Sequence, residues 1–134
     1  MGFVGAMALG TLASVTDDPD ERERALKEGW DCLQNHTLIH NHLWFHRDAI
    51  DLFLALEAPE RMDRHRAALE ACTEAEPLPW SRFFCARARA LGAHLRGRGN
   101  PHTLRALYRQ ATEIGWHHAA SALERALASY TIET

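Results

Sequence analysis

Apolar residues return every three or four positions along most of this chain, with polar residues between them, which is the signature of amphipathic helices. Positions 1–15 are apolar almost throughout and predict a buried helix. Asp17, Asp18 and Pro19 then give an N-cap followed by proline at the first helical position, and Glu21 and Glu23 sit where the helix dipole favours acids. That helix carries Ala25, Leu26, Trp30 and Leu33 as its stripe and runs to about Asn35. A longer periodic stretch over 38–58 places Ile39, Leu43, Ile50, Phe53 and Leu54 inward. Pro59 opens the next helix, with Met62, Ala68, Leu69 and Cys72 inward, and Pro77 and Pro79 end it. From Pro79 the pattern Phe83, Phe84, Ala88, Leu91 leads to a break at Gly97-Arg98-Gly99, and Asn100-Pro101 repeats the cap-plus-proline signal. Leu104, Leu107, Ala111 and Ile114 continue inward until Gly115, and a last helix spans 116–129 with a frayed tail from Tyr130 onward. No alternating segment with flanking turns predicts a strand.

The prolines expose a repeat. Pro19, Pro59 and Pro101 each open a helix, 40 and 42 residues apart. A period of this size predicts stacked helical hairpins, because one hairpin cannot cover its own apolar face and its neighbours can. The expected fold is all-α: a tetratricopeptide-like α-solenoid of about three hairpins, over 1–35, 38–76 and 79–114, plus a C-terminal capping helix over 116–129. The whole of 1–134 is then one helical-repeat domain, with an irregular helical bundle as the competing arrangement. The period exceeds the 34 residues of the standard tetratricopeptide unit, which implies divergent repeats with longer helices.

Composition narrows the function. Hydrophobic residues make up 46% and charged residues 25%, so the chain has the makings of a soluble core. A net charge of −3 argues against a general nucleic-acid binder. The apolar start is too short to cross a bilayer comfortably and lacks the positive residues of a signal peptide. Charge is unevenly placed: positions 17–76 hold 15 acids against 7 bases, whereas 77–112 hold seven arginines and no acid. Cys32, Cys72 and Cys85 form no CxxC pair, which fits reduced thiols and a cytoplasmic setting.

Several clusters could carry chemistry. His36/His40 and His42/His46 are two i,i+4 histidine pairs, a spacing that can grip zinc, but no glutamate follows His42 as a metalloprotease helix requires. A small metal- or ligand-binding bundle built on these four residues, with His42 and His46 as the metal pair, is therefore the alternative reading. Polar or interface histidines are the plain one. Ser81 and Ser121 lack a nucleophile elbow, and Cys85 has no histidine at telling spacing. Gly97-Arg98-Gly99-Asn100 lacks the lysine of a phosphate loop and reads as a turn. Trp44, Phe45, Trp80, Phe83 and Phe84 flank the middle hairpin, either as core or as an aromatic anchor for a bound peptide. Arg82, Arg89 and Arg96 recur every seven residues as one basic stripe that could clamp an acidic segment. Trp44, Trp80 and these three arginines are the candidate partner-binding residues. No catalytic residue and no cofactor is indicated.

Two stretches carry a resemblance: positions 40–50 (HNHLWFHRDAI), and positions 74–80 (EAEPLPW) followed by Phe83-Phe84 and Ala86-Arg87. They resemble the C-terminal helical-repeat region of large bacterial class III adenylate/guanylate cyclases, in which a cyclase domain and an AAA-type ATPase module precede a tetratricopeptide array. The segment 10–19 (GTLASVTDDP) fits the same region. The family pattern has an aromatic where this chain has His46. The resemblance implies a scaffold for docking, sensing or oligomerisation in a signalling protein. The cyclase residues match no position here, so it implies no lyase activity for this chain by itself. The expected partner is a protein or neighbouring domain, with self-association open, and neither nucleic acid nor membrane.

Overall fold

The structure, a computed structural model, describes residues 5–35, 39–74 and 79–132. They form seven helices and, among the described residues, no strand: α1 (Gly5–Val15), α2 (Pro19–Asn35), α3 (Ile39–Ala55), α4 (Pro59–Thr73), α5 (Pro79–Leu95), α6 (Pro101–Ile114) and α7 (His117–Ile132). The prolines that set the repeat are the first residues of α2, α4 and α6, and Pro79 starts α5 in the same way. At that position a proline costs no helical hydrogen bond and its ring already holds the helical φ.

The caps follow local chemistry. Asp18 accepts from the backbone N–H groups of Asp20 at 3.0 Å and Glu21 at 3.4 Å. Asn100 does the same for His102 at 2.9 Å and Thr103 at 3.4 Å. α6 ends at Gly115, left-handed at φ 94°, whose N–H reaches back to Ala111 and Thr112. α3 ends differently. Glu57 takes the left-handed position at φ 53°, so that Ala58 N–H can reach Phe53 O at 2.9 Å. A side chain there costs on the order of 1 kcal/mol relative to glycine.

Helices alternate between two roles. α1, α3, α5 and α7 pack in succession on one another, and each of α2, α4 and α6 lies against the odd helices before and after it. α2 and α4 also meet through side chains: Arg61 donates to Glu23 at 2.9 Å, and His65 stands against Trp30. α6 lies more fully along α7 than along α5. Connection length explains this: Gly115 and Trp116 alone separate α6 from α7, which forces a tight antiparallel pair, whereas five residues link α5 to α6. The final helix also runs further than the expected 116–129 and is more than a cap. It continues to Ile132, Tyr130 is partly buried, and its hydroxyl lies 3.2 Å from His94 Nδ1. A packed, bonded tyrosine holds the last turn that composition alone would leave frayed.

The core follows the inward stripes, except that Ile114, expected inward, ends α6 at 52% exposed. Leu43, Phe45, Phe53, Met62, Leu69, Leu104 and Leu123 are fully buried. Phe45 is the tightest member. Its ring lies against Gly29 on α2, where a β-carbon would overlap it, and close to Gly10 on α1, where a β-carbon would be a tight fit. Gly29→Ala should therefore destabilise the fold by roughly 1–3 kcal/mol through overpacking, although alanine is the better helix former by about 1 kcal/mol. Urea denaturation of the variant checks this, and a gain in stability would show that the ring can move aside.

Candidate functional site

The centre of the molecule is an arginine that periodicity places on the apolar face of α5. Arg87 follows Phe83 and Phe84 at the i+4 and i+3 positions and is only 1% exposed. Its Nε donates to Ala119 O on α7 at 3.0 Å, and its Nη1 donates to Asp51 Oδ1 on α3 at 2.7 Å. One guanidinium thus ties three odd helices together. Its planar fork suits this task, since it bonds a carboxylate and a carbonyl in two directions at once. His118 Nε2 lies 3.7 Å from the other Asp51 oxygen and is almost fully exposed.

Two grooves share Asp51 and His118. The first, of about 640 Å³, takes residues from α1, α3, α5 and α7 together: Ser14, Asp48, Leu54, His94, Ala122 and Arg125 are among them. Its lining mixes acid, base, hydroxyl and apolar groups. Asp48 is mostly buried there, and its carboxyl is pushed up from the ordinary range by desolvation, with Arg47 opposing that shift. The second groove, of about 730 Å³, is aromatic and is lined by Trp44, Trp80, Phe84 and Trp116. Trp44 and Trp80 meet at 5.8 Å between ring centroids, Trp80 stands edge-on to Phe84 at 5.7 Å, and Phe84 stacks on Trp116 at 5.6 Å. The sequence reading placed Trp44 and Trp80 together as partner-binding candidates, and they do line one surface. Trp116 was not among those candidates. The signal for it was its place beside Gly115, where a helix start turns a side chain back toward α5.

The arginine stripe has a different setting. Arg89 donates through two nitrogens to the Glu70 carboxylate at 2.8 Å each, and Arg96 donates to Asp63 at 2.6 Å. Arg66 also pairs with Glu70 at 2.9 Å. The heptad of α5 meets a heptad of acids on α4 because the two helices run antiparallel. These pairs are half exposed, so each contributes at most about 1 kcal/mol. The Glu70 carboxyl is lowered: burial raises it, and hydrogen bonds from Arg89 and Arg66 more than reverse that. An acidic segment could use Arg89 and Arg96 only by displacing Glu70 and Asp63. Arg82 is exposed, beside these pairs.

The histidines divide. His36 lies outside the described residues, as do the side chains of His40 and His42. His46 is 2% exposed and turns to His65 of α4, Nδ1 to Nδ1 at 3.0 Å. Trp30 meets both rings edge-on at 5.4 Å, and Phe45 and Phe53 complete the enclosure. At that distance one nitrogen carries the proton and the other accepts it. Among the described residues, no group of three His, Cys, Asp or Glu is placed to hold a metal ion. Burial first, then the charges of Arg64 and Arg61, pull the His65 imidazole down from 6.5 to about 4.

Nucleophilic chemistry finds no support at the remaining candidates. Burial pushes the Cys85 thiol up to about 11, so it stays protonated at neutral pH. Ser121 donates to His117 O at 3.2 Å, a turn of its own helix away. Cys72 and Cys85 are free thiols. Among the described residues, no helix is long and apolar enough to cross a membrane. Comparison with family models, curated proteins and solved structures gives no match to this chain.

Two outcomes test the interior. The folded pKa of His65 lies below its unfolded value, so the unfolded chain binds more protons between about pH 4 and 6.5. Stability is then full above pH 6.5 and falls by up to roughly 3 kcal/mol as pH drops toward 4. Denaturant titrations at pH 7.5, 6 and 5 should show this slope, and His65→Phe should flatten it. Asp51→Ala strands the buried Arg87 charge. Asp51 keeps 22% of its side chain in water, so the loss should be roughly 2–4 kcal/mol, at or below the range for a fully buried pair. Arg87→Met should cost less, since it leaves a carboxylate that water can reach. The reverse order in urea melts would show that Arg87 acts through its packing.

Proposed function

We propose that this chain is a docking module: a tetratricopeptide-like α-solenoid that holds a segment of a partner protein or neighbouring domain in the groove lined by α1, α3, α5 and α7. The observation that carries this reading is that four alternate helices contribute to one groove of about 640 Å³. In stacked hairpins the first helix of each unit faces the concave side, so a shared surface built from every second helix is what docking requires. Its floor is held by the Arg87–Asp51 pair, which limits how much the walls must reorganise when a peptide binds. The module carries no reaction of its own in this reading.

The wider setting is the C-terminal repeat region of a bacterial nucleotide-cyclase signalling protein, or a short relative of one, in the cytosol. Support comes from the two stretches that carry the resemblance. They lie against each other: Trp44 and Arg47 from the first contact Trp80 and Phe84 from the second. Arg87 in the second pairs with Asp51, one position past the end of the first.

A displayed library of random peptides tests the docking reading. Selected binders should compete with one another for one site. They should lose at least tenfold in affinity, about 1.4 kcal/mol, on Ala122→Arg, which fills the groove, while the circular-dichroism melt is unchanged. Binders that ignore Ala122→Arg, or a library that yields none, would remove the proposal.

A further inference from the structure

The aromatic groove has features that the docking reading does not use. Its walls come from three elements: Trp44 on α3, Trp80 and Phe84 on α5, and Trp116 at the start of α7. Trp44 is 36% exposed and is one of the few large apolar side chains left so open. A cation already sits on it. The Arg47 guanidinium lies 4.2 Å from the Trp44 ring centroid and 5.9 Å from that of Phe84.

Charge within the groove is one-sided in what it leaves available. The carboxylate of Asp51 is held by Arg87 at 2.7 Å. Arg47 has a weaker tie, to Asp48 at 3.5 Å, the far limit of a hydrogen bond, and 30% of its side chain is exposed. A guanidinium stacked on an indole keeps its N–H groups in the ring plane, directed outward, where a carboxylate can take two of them. Contact with the indole restricts the Arg47 side chain before any ligand arrives, so less side-chain entropy is lost on pairing. His117 and His118 line the groove as well.

We propose that this groove is a recognition site for an acidic segment of a partner protein that carries an aromatic anchor. The anchor ring inserts between Trp44 and Trp116 above Phe84, and an adjacent Asp or Glu pairs with the stacked Arg47. The apolar walls supply area, and Arg47 sets the sign of the partner's charge. Groove and main docking surface share Asp51 and His118, so one chain could pass from one to the other. The proposal rests on the docking reading only in requiring a protein partner.

Two synthetic peptides test it, one with a phenylalanine flanked by glutamates and one with the glutamates replaced by lysines. Binding is followed by tryptophan fluorescence and by backbone amide NMR shifts on the full chain. The acidic peptide should bind with micromolar affinity, shift the amides around Trp44, Trp80 and Trp116, and lose at least tenfold when its phenylalanine becomes alanine. Trp44→Ala and Arg47→Ala should each cost at least tenfold with an unchanged thermal melt, and Arg105→Glu, on exposed α6, should cost nothing. Arg47→Glu should turn the preference toward the lysine peptide. Equal binding of the two peptides by the native chain, or an acidic preference that survives Arg47→Glu, would overturn the proposal. So would self-association in sedimentation velocity that Trp44→Ala abolishes, because a second copy would then be the occupant. If library binders still respond to Ala122→Arg while the acidic peptide fails, this inference falls and the docking reading stands.

Discussion

Arg87 is the constraint around which the rest is arranged. A guanidinium that is 1% exposed can remain in a helical core only if its hydrogen bonds are met. Here they are met by the Asp51 carboxylate on α3 and the Ala119 carbonyl on α7. The first bond fixes how far α3 lies from α5, and the second fixes α7 on the opposite side. Both grooves open between these helices, so their widths are set by two bonds from one residue. Hydrophobic packing could hold the same helices together, but with less control of direction, since burial alone has no preferred geometry.

The other half of the molecule is organised by fit more than by charge. Phe45 lies in a hollow made by Gly10 and Gly29, and its ring is part of the enclosure around the His46–His65 pair. α1, α2, α3 and α4 are locked by this aromatic cluster. The buried histidine pair has a cost that appears only on acidification, because a second proton would set two N–H donors against each other at 3.0 Å. α4 and α5 are then joined along their outer side by the ladder of Glu70 with Arg89 and Asp63 with Arg96. Each pair is weak, yet together they set the register of two antiparallel helices.

This packing leaves only some of the charged and aromatic side chains available at the surface. Two of the three stripe arginines are held by carboxylates of their own chain at 2.6–2.8 Å, whereas Arg47 rests on an indole and keeps a longer, 3.5 Å tie to Asp48. The aromatic residues divide in the same way: Phe45 and Phe53 are sealed in the core, while Trp44 reaches the surface. The surface lined by Trp44, Trp80 and Trp116 therefore combines an apolar platform with the Arg47 guanidinium.

The sequence by itself determined the helices and most of their ends. Cap chemistry is local: Asp18-Pro19, Asn100-Pro101 and Gly115 act on the next few residues, so their effect can be read without a fold. The inward stripes were legible for the same reason, and Leu43, Leu69 and Leu104 are buried as their spacing required. Tertiary structure alone decided which charged residues are enclosed. Arg87 lies on an apolar stripe, and Asp51 borders another; that coincidence of opposite signs was a signal, but only packing brings them to 2.7 Å. The pairing of His46 with His65, nineteen residues away, and the capture of Arg89 and Arg96 by α4 had the same cause. A helix's own sequence states which face is apolar, and the partner that meets that face is fixed by how the chain turns back on itself.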